Sequence, residues 1–346
     1  MDLPAAHGQP PLAGRFRVEP EDFVVEEVLG FEADGAGNHV LLLVEKRDAN
    51  TGWVAAQLAR AAGVQARDVG TSGQKDRRAL VRQSYTLPWP VGAPLESCLS
   101  YAGEGYRVLA AARHGRKLRP GSHRANRFVI RIRDATGDRG AVEARLRQIG
   151  AAGVPNYFGP QRYGRGGGNL ARAREWAAGG QPPRERMQRG FALSAARSEL
   201  FNRVLAERVR RGDWNSLLPG EAIILDGRRS FFRAGEIDAA LSARCAGMDL
   251  HPSGPLWGRG SPEAGSEALA VEDAVTAGEP ALRGLLESQG TDQERRSLRL
   301  PVRSLEWRFE DDTVVVSFEL PRGTFATSVL HELLRGAWDS GEGGEE

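Results

Sequence analysis

Short runs near the N-terminus are rich in valine and leucine and are separated by turn-forming residues. Phe23–Leu29 and His39–Val44 read as two strands, and Asp34-Gly35-Ala36-Gly37-Asn38 between them predicts a hairpin. Thr51 is placed to cap a helix over Gly52–Ala62, with Trp53, Ala56, Leu58 and Ala59 on its packed side and Gly63 ending it. A loop over Gly70–Arg78 leads to strands at Ala79–Leu87 and Tyr106–Ala112. The pattern is sharpest at Arg127–Arg133. Phe128, Ile130 and Ile132 alternate there with Arg127, Val129, Arg131 and Arg133, so the strand buries one face and turns three guanidinium groups to the other. This predicts a basic sheet face.

From about Val142 the period changes. Asn169 is a candidate cap for a helix to Ala178, and Ser194 for one running to Arg211. In the second, Leu200, Phe201, Val204, Leu205 and Val209 form a single apolar stripe, read as core. A Gly- and Pro-rich stretch around His251–Gly265 follows. Alternation returns at Val314, Val316, Phe318 and Leu320, with a helix over Phe325–Leu334 behind Thr324, and Gly341–Glu346 is expected to be disordered. Strands first, helices in the middle, and a strand with a helix at the end predict an α+β protein whose sheet domain is interrupted by a helical insertion.

The chain of 346 residues has 47 Lys plus Arg against 45 Asp plus Glu, a net charge of +2 that conceals an asymmetry. Residues 52–133 hold 15 basic and four acidic residues, whereas residues 1–51 hold four basic and ten acidic ones. A polyanion is the natural partner of the central stretch. No stretch approaches the roughly 20 apolar residues of a membrane span, and MDLPAAHGQPPL has no leader-like pattern, so a cytoplasmic protein without membrane contact is expected. Cys98 and Cys245 form no CxxC and the six histidines no HxxxH, so neither a zinc site nor a disulfide framework is encoded. Chemistry without a metal is expected.

Two segments have the composition of functional sites. Gly73-Gln74-Lys75-Asp76-Arg77-Arg78 sets one carboxylate among three cations, which suits an ionised nucleophile or base and also suits a plain surface turn. Asn156-Tyr157-Phe158-Gly159-Pro160-Gln161-Arg162-Tyr163-Gly164 mixes aromatics, amides and an arginine, either to stack on bases or to pack domains together. The following Arg165-Gly166-Gly167-Gly168-Asn169 does not complete GxGxxG and lacks the GK[ST] of a phosphate loop, which argues against a nucleotide cofactor. By pattern alone, Phe23 and Phe325 are core residues and Asn126 a turn residue. His114 and His123 receive no role.

Taken together and in order, these motifs resemble the TruD family of tRNA pseudouridine synthases. GQKDRRA at Gly73–Ala79 is similar to its catalytic motif, NYFGPQRYG at Asn156–Gly164 and LSAARSELFN at Leu193–Asn202 to its insertion signatures, and PRGTFATSVLHEL at Pro321–Leu333 to its C-terminal motif. PEDFVVEE and GFEADGAGNH resemble its N-terminal strands, so the likeness spans residues 15–335. The resemblance implies a pseudouridine synthase-type catalytic domain with a mainly antiparallel sheet, over residues 1–151 and 301–346, interrupted by a helix-rich insertion domain over 152–300. It implies isomerisation of uridine-13 in the D arm of tRNA, with no cofactor and no metal, on a nucleotide flipped out of its stack, and no protein partner is implied. Asp76 would be the nucleophile, with its chemical step left open, and Phe23, Asn126 and Phe325 would line the uridine site. Arg77-Arg78 stands where other members place Lys and His. Arg127, Arg131 and Arg133 are expected to contact tRNA phosphates, an expectation that rests on alternation alone. The competing readings are a non-catalytic tRNA-binding protein or an RNA chaperone with the same fold.

Overall fold

The computed structural model describes residues 3–228 and 230–337, so the expected disorder of Gly341–Glu346 lies outside the described residues. The chain forms two compact units. One contains residues 14–136 and 303–323; the other contains 3–13, 137–302 and 324–337.

The first unit is built on a ten-stranded sheet. Its long strands are β1 (Phe23–Val28), β2 (His39–Arg47), β3 (Leu80–Pro88), β4 (Tyr106–His114), β5 (Ala125–Thr136), β6 (Arg303–Glu310) and β7 (Thr313–Pro321). They lie in the order β6-β7-β5-β1-β3-β2-β4, with short segments such as Gly70–Thr71 and Ala102–Gly103 added at β3 and β4. β1 and β3 run parallel, and the other neighbouring long strands pair antiparallel. The expected α+β architecture is therefore present. The expected hairpin is not: β3 inserts between β1 and β2, which pair with it and not with each other. The turn residues at 34–38 end a strand without selecting its partner, because register is decided by which apolar rows can be buried together.

One face of this sheet is core. Val40, Leu42 and Val44 of β2 and Tyr85 and Leu87 of β3 pack against Val54 and Leu58 of α1 (Thr51–Ala62). Gly63 closes that helix in the left-handed conformation at φ +68°, where a side chain would be strained. Asn50, and not Thr51, is the N-cap residue. Farther along the sheet, Phe23 contacts Phe128 edge-on at 5.9 Å, and Phe128 contacts Phe318 at 5.6 Å. The Phe128, Ile130, Ile132 row is buried as its alternation requires.

The opposite face differs from the expected basic surface. Registered cross-strand neighbours form an alternating row, Arg107–Glu45–Arg82–Glu26–Arg127–Glu319–Arg303, running over seven strands. Arg107 pairs with Glu45 at 2.6 Å, and Arg82 with Glu45 at 3.2 Å and with Glu26 at 2.7 Å. The acidic partners come from strands far away in sequence, so a count along one segment cannot register them. Each such exposed pair contributes up to about 1 kcal/mol.

The second unit is dominated by helices, including α2 (Arg139–Ala152), α3 (Gly168–Ala177), α4 (Arg186–Arg211) and, near the C-terminus, α5 (Ala326–Leu333). Small antiparallel sheets accompany them, among them Ser253–Leu256 with Glu294–Ser297. The stripe of Leu200, Phe201, Val204, Leu205 and Val209 on α4 is buried, as its spacing predicts. α4 begins two turns before Ser194, which lies inside the helix and does not cap it. Arg186–Leu193 continues the helix, but its Met187 and Phe191 are exposed and do not extend the buried stripe.

Candidate active site

In the sheet unit, four buried polar side chains interrupt apolar rows of adjacent strands. Glu27 follows Phe23 and Val25 on β1, Lys46 follows Val40, Leu42 and Val44 on β2, Gln83 lies between Val81 and Tyr85 on β3, and Asn126 precedes Phe128 and Ile130 on β5. Burying a polar group in such a row costs stability unless it is hydrogen-bonded. Here each is bonded, and their partners lie in and around the loop at residues 72–79.

Gln83 Nε2 donates to the Gly73 carbonyl at 2.6 Å, while its Oε1 accepts from Thr51 Oγ1 at 3.1 Å. Thr51 Oγ1 in turn accepts from the Lys75 amide at 3.1 Å, so the expected capping residue serves the loop. Lys46 Nζ donates to the Asp76 carbonyl at 2.7 Å and to the Ala49 carbonyl at 2.6 Å. Lys75 Nζ lies 3.0 Å from Glu27 Oε1 and donates to Asn126 Oδ1 at 2.8 Å. Glu27 also accepts from Ser72 Oγ and, at 3.1 Å, from the Ser84 amide. These bonds hold the backbone on both sides of Asp76 to the sheet.

The Asp76 side chain is left open. It is 49% exposed, and its Oδ1 lies 3.4 Å from Arg17 Nη2. Arg17 has a left-handed backbone at φ +61°, uncommon for a side chain of this size, and its guanidinium sits 4.0 Å from the centroid of Phe23. Phe23 is fully buried beneath it. His123, on the other side of Lys75, has its imidazole pushed toward the neutral form by burial first and by the Lys75 charge second. Its Nε2 is 3.5 Å from both Lys75 Nζ and Asn126 Nδ2, and its Nδ1 has no partner among the described residues.

Phe325 belongs to the helical unit, where it is the N-cap residue of α5. Its ring is 6.3 Å from that of Phe158. Asn202 of α4 holds the Phe158 backbone on both sides, accepting from its amide and donating to its carbonyl at 2.9 Å each, and donates to the Tyr163 hydroxyl at 2.9 Å. Arg162 donates to Ser194 Oγ at 2.9 Å and lies 5.0 Å from the Phe158 centroid. Arg296 stacks on the same ring at 4.1 Å and donates to Asn156 Oδ1 at 2.6 Å; burial lowers its pKa to about 9.

The structure therefore brings Phe23, Asp76 and Asn126 together through Arg17 and Lys75, and places Phe325 with the Asn156–Gly164 loop. Asn126 is a strand residue, not a turn residue. Arg131 is paired with Glu310, and Arg133 with Asp22 and Glu19, while Arg127 is exposed and has no ion pair among the described residues. Arg17, Glu27, Lys46, Thr51 and Gln83 were not foreseen as site residues. The available signal was a polar residue at an inward position of an alternating strand, present at Glu27, Lys46 and Gln83. No group of three or more His, Cys, Asp or Glu among the described residues is arranged to hold a metal, and no described helix is long and apolar enough to cross a membrane.

The family profile of tRNA pseudouridine synthase D (TruD) matches residues 5–171 and 178–333. A Nitrosococcus oceani protein named tRNA pseudouridine synthase D is 50% identical over 333 residues, which is 95% of this chain and 92% of that protein. A Pseudomonas aeruginosa protein of the same name is 46% identical over 337 residues, which is 96% of this chain and 94% of its own length. A Methanosarcina mazei crystal structure assigned to TruD has a TM-score of 0.71 at 18% identity, over 96% of this chain and 98% of that one, so the fold persists where the sequence has diverged. With up to half its residues identical to those of such relatives along nearly its whole length, this chain belongs to the TruD family of tRNA pseudouridine synthases.

Proposed function

We propose that the protein isomerises uridine-13 in the D arm of cytoplasmic tRNA to pseudouridine, with Asp76 as the nucleophile. The observation that carries this reading is the contrast between the two carboxylates at the loop. The Glu27 side chain is fully buried and held by Lys75, Ser72 and Ser84, whereas the Asp76 side chain is half-exposed and meets a single guanidinium among the described residues, so of the two Asp76 has the face free for substrate. In the isomerisation the bond from the ribose carbon to N1 breaks, the base turns, and a bond to C5 forms while the C5 proton leaves and N1 takes one up. All atoms are conserved, and the required group is an ionised carboxylate beside a nucleotide removed from its stack.

Arg17 orients the Asp76 carboxylate, and Phe23 lines the uridine site from beneath through the guanidinium it carries. Asn126 offers its amide to the edge of the base, and Phe325 stacks on or closes over it. Residues 1–151 with 301–346 form the catalytic domain in this reading, and 152–300 form the insertion. Arg127 contacts a tRNA phosphate directly. Arg131 and Arg133 do so by exchanging a carboxylate partner for a phosphate.

The test is pseudouridine mapping of tRNA transcripts incubated with wild type and with Asp76→Asn. The expected outcome is product at position 13 with wild type, at least ~10³-fold slower turnover with the variant, and unchanged tRNA affinity. Tight, salt-sensitive binding by wild type without product on any transcript would favour the non-catalytic RNA-binding reading.

A further inference from the structure

Beside Phe325, the helical unit contains polar groups to which the isomerisation assigns no work. Thr327, in the first turn of α5, is 7% exposed, and its Oγ1 has no hydrogen-bond partner among the described residues. The backbone amides of Ala326 and Thr327 at the same helix end likewise meet no acceptor among the described residues, and Phe325 supplies no side-chain cap. Helix ends of this kind favour an anion.

Gly159 faces the same hydroxyl. Its backbone, at φ −78° and ψ 173°, is one that any residue adopts, so conformation does not require glycine there. Space does. A β-carbon at this position would come within 3.0 Å of Thr327 Oγ1 and 2.5 Å of Gln161 Oε1. The glycine thus lets the Thr327 hydroxyl and the Gln161 amide pack closely against the backbone. Arg162, three residues on, has its guanidinium 6.0 Å from the Phe325 centroid and 5.0 Å from that of Phe158. Its one side-chain hydrogen bond goes to Ser194, and no carboxylate pairs with it among the described residues. A largely buried cation without a counter-charge is costly, and that cost falls when an anion arrives. Burial does lower the Arg162 pKa, but a guanidinium stays charged at neutral pH.

We propose that Arg162, Thr327 and the free amides at the start of α5 seat one phosphodiester of the substrate RNA, the phosphate flanking the nucleotide placed at Phe325. A guanidinium, a hydroxyl and helix-end amides together match the acceptors of a phosphate. This inference rests on the reading of Phe325 as a residue of the uridine site. The seat fixes the backbone on one side of the target, so the base enters in a defined orientation.

The test is a four-way comparison of wild type and Arg162→Gln on RNA carrying either natural phosphates or an uncharged methylphosphonate, placed in turn on the 5′ and 3′ side of the target uridine. For wild type, neutralising one of the two positions is expected to lower kcat/KM about 10- to 100-fold, the scale of a charge-assisted hydrogen bond. In Arg162→Gln the same neutralisation should change kcat/KM less than about 2-fold, and the slope of log affinity against log salt should fall by about 0.7. Thr327→Val, which keeps the shape and removes the hydroxyl, should lose affinity with an unchanged melting temperature. If both methylphosphonates penalise wild type and Arg162→Gln equally, the phosphate seat is overturned. Absence of pseudouridine with wild type on unmodified RNA would count against the reaction and not the seat, because the same comparison read as binding affinity still decides it.

Discussion

Glu27 takes three donors on its two carboxylate oxygens, from Lys75, Ser72 and the Ser84 amide, with no exposed surface on its side chain. Glu27→Ala leaves the Lys75 ammonium buried without its counter-charge, and is expected to cost about 3–5 kcal/mol in urea unfolding. Glu27→Gln, which keeps the shape and the acceptor oxygen, should cost less. His123 makes a pH prediction. Burial and the Lys75 charge hold its folded-state pKa below the ordinary imidazole value of about 6.5, so between the two values the unfolded chain binds more protons. Its contribution to stability is complete above about pH 6.5 and is lost as pH falls toward the lowered value. In urea titrations, His123→Gln should therefore show a shallower loss of stability than wild type on going from pH 7 to pH 5. The Asp76 loop itself was legible as a charged motif, and its family likeness was legible too. Its supports were not. Lys46, Thr51 and Gln83 act through contacts 10 to 30 residues apart in sequence, and local spacing does not report these.

At the scale of elements, α4 links its core stripe to the Asn156–Gly164 loop through Asn202. Asn202→Ala strands the Phe158 amide and carbonyl and the Tyr163 hydroxyl, and should cost about 1–3 kcal/mol on chemical denaturation. A loss below 0.5 kcal/mol would mean that the loop is held by other contacts. The stripe was readable because 3.6-residue periodicity is a local property. The start of α4 was not, since Ser194 has the chemistry of a cap but its hydroxyl is used by Arg162. Strand positions were readable in the same way, and strand partners were not. Nothing in Phe23–Val28 or His39–Arg47 announces that Leu80–Pro88 will come between them.

Charge belongs to the whole molecule. The basic stretch at 52–133 and the alternation at Arg127–Arg133 suggested one basic face, yet the folded sheet interleaves its arginines with Glu26, Glu45 and Glu319. Long-range attraction of RNA to this face is accordingly weaker than the segment alone implies. Arg127→Gln should flatten the salt dependence of tRNA binding by about 0.9 in log–log slope, the value for one duplex phosphate. Adding Arg131→Gln and Arg133→Gln should have smaller effects, because both already meet carboxylates. An unchanged slope in the triple variant, measured by fluorescence anisotropy, would remove these residues from the interface.

The placement of β7 beside β5 also bears on synthesis. β5 ends at Thr136 and its partner begins at Thr313, with registered pairs such as Ile130 with Val316 and Phe128 with Phe318. On a ribosome adding about 5–20 residues per second, one edge of β5 emerges roughly ten to thirty-five seconds before the strand that covers it. During that interval the nascent chain displays an unpaired strand edge beside Phe128, Ile130 and Ile132, the kind of template to which other chains add. Synthesis rate and chaperone supply while the intervening segment is being made should therefore govern how much of the protein reaches its native sheet.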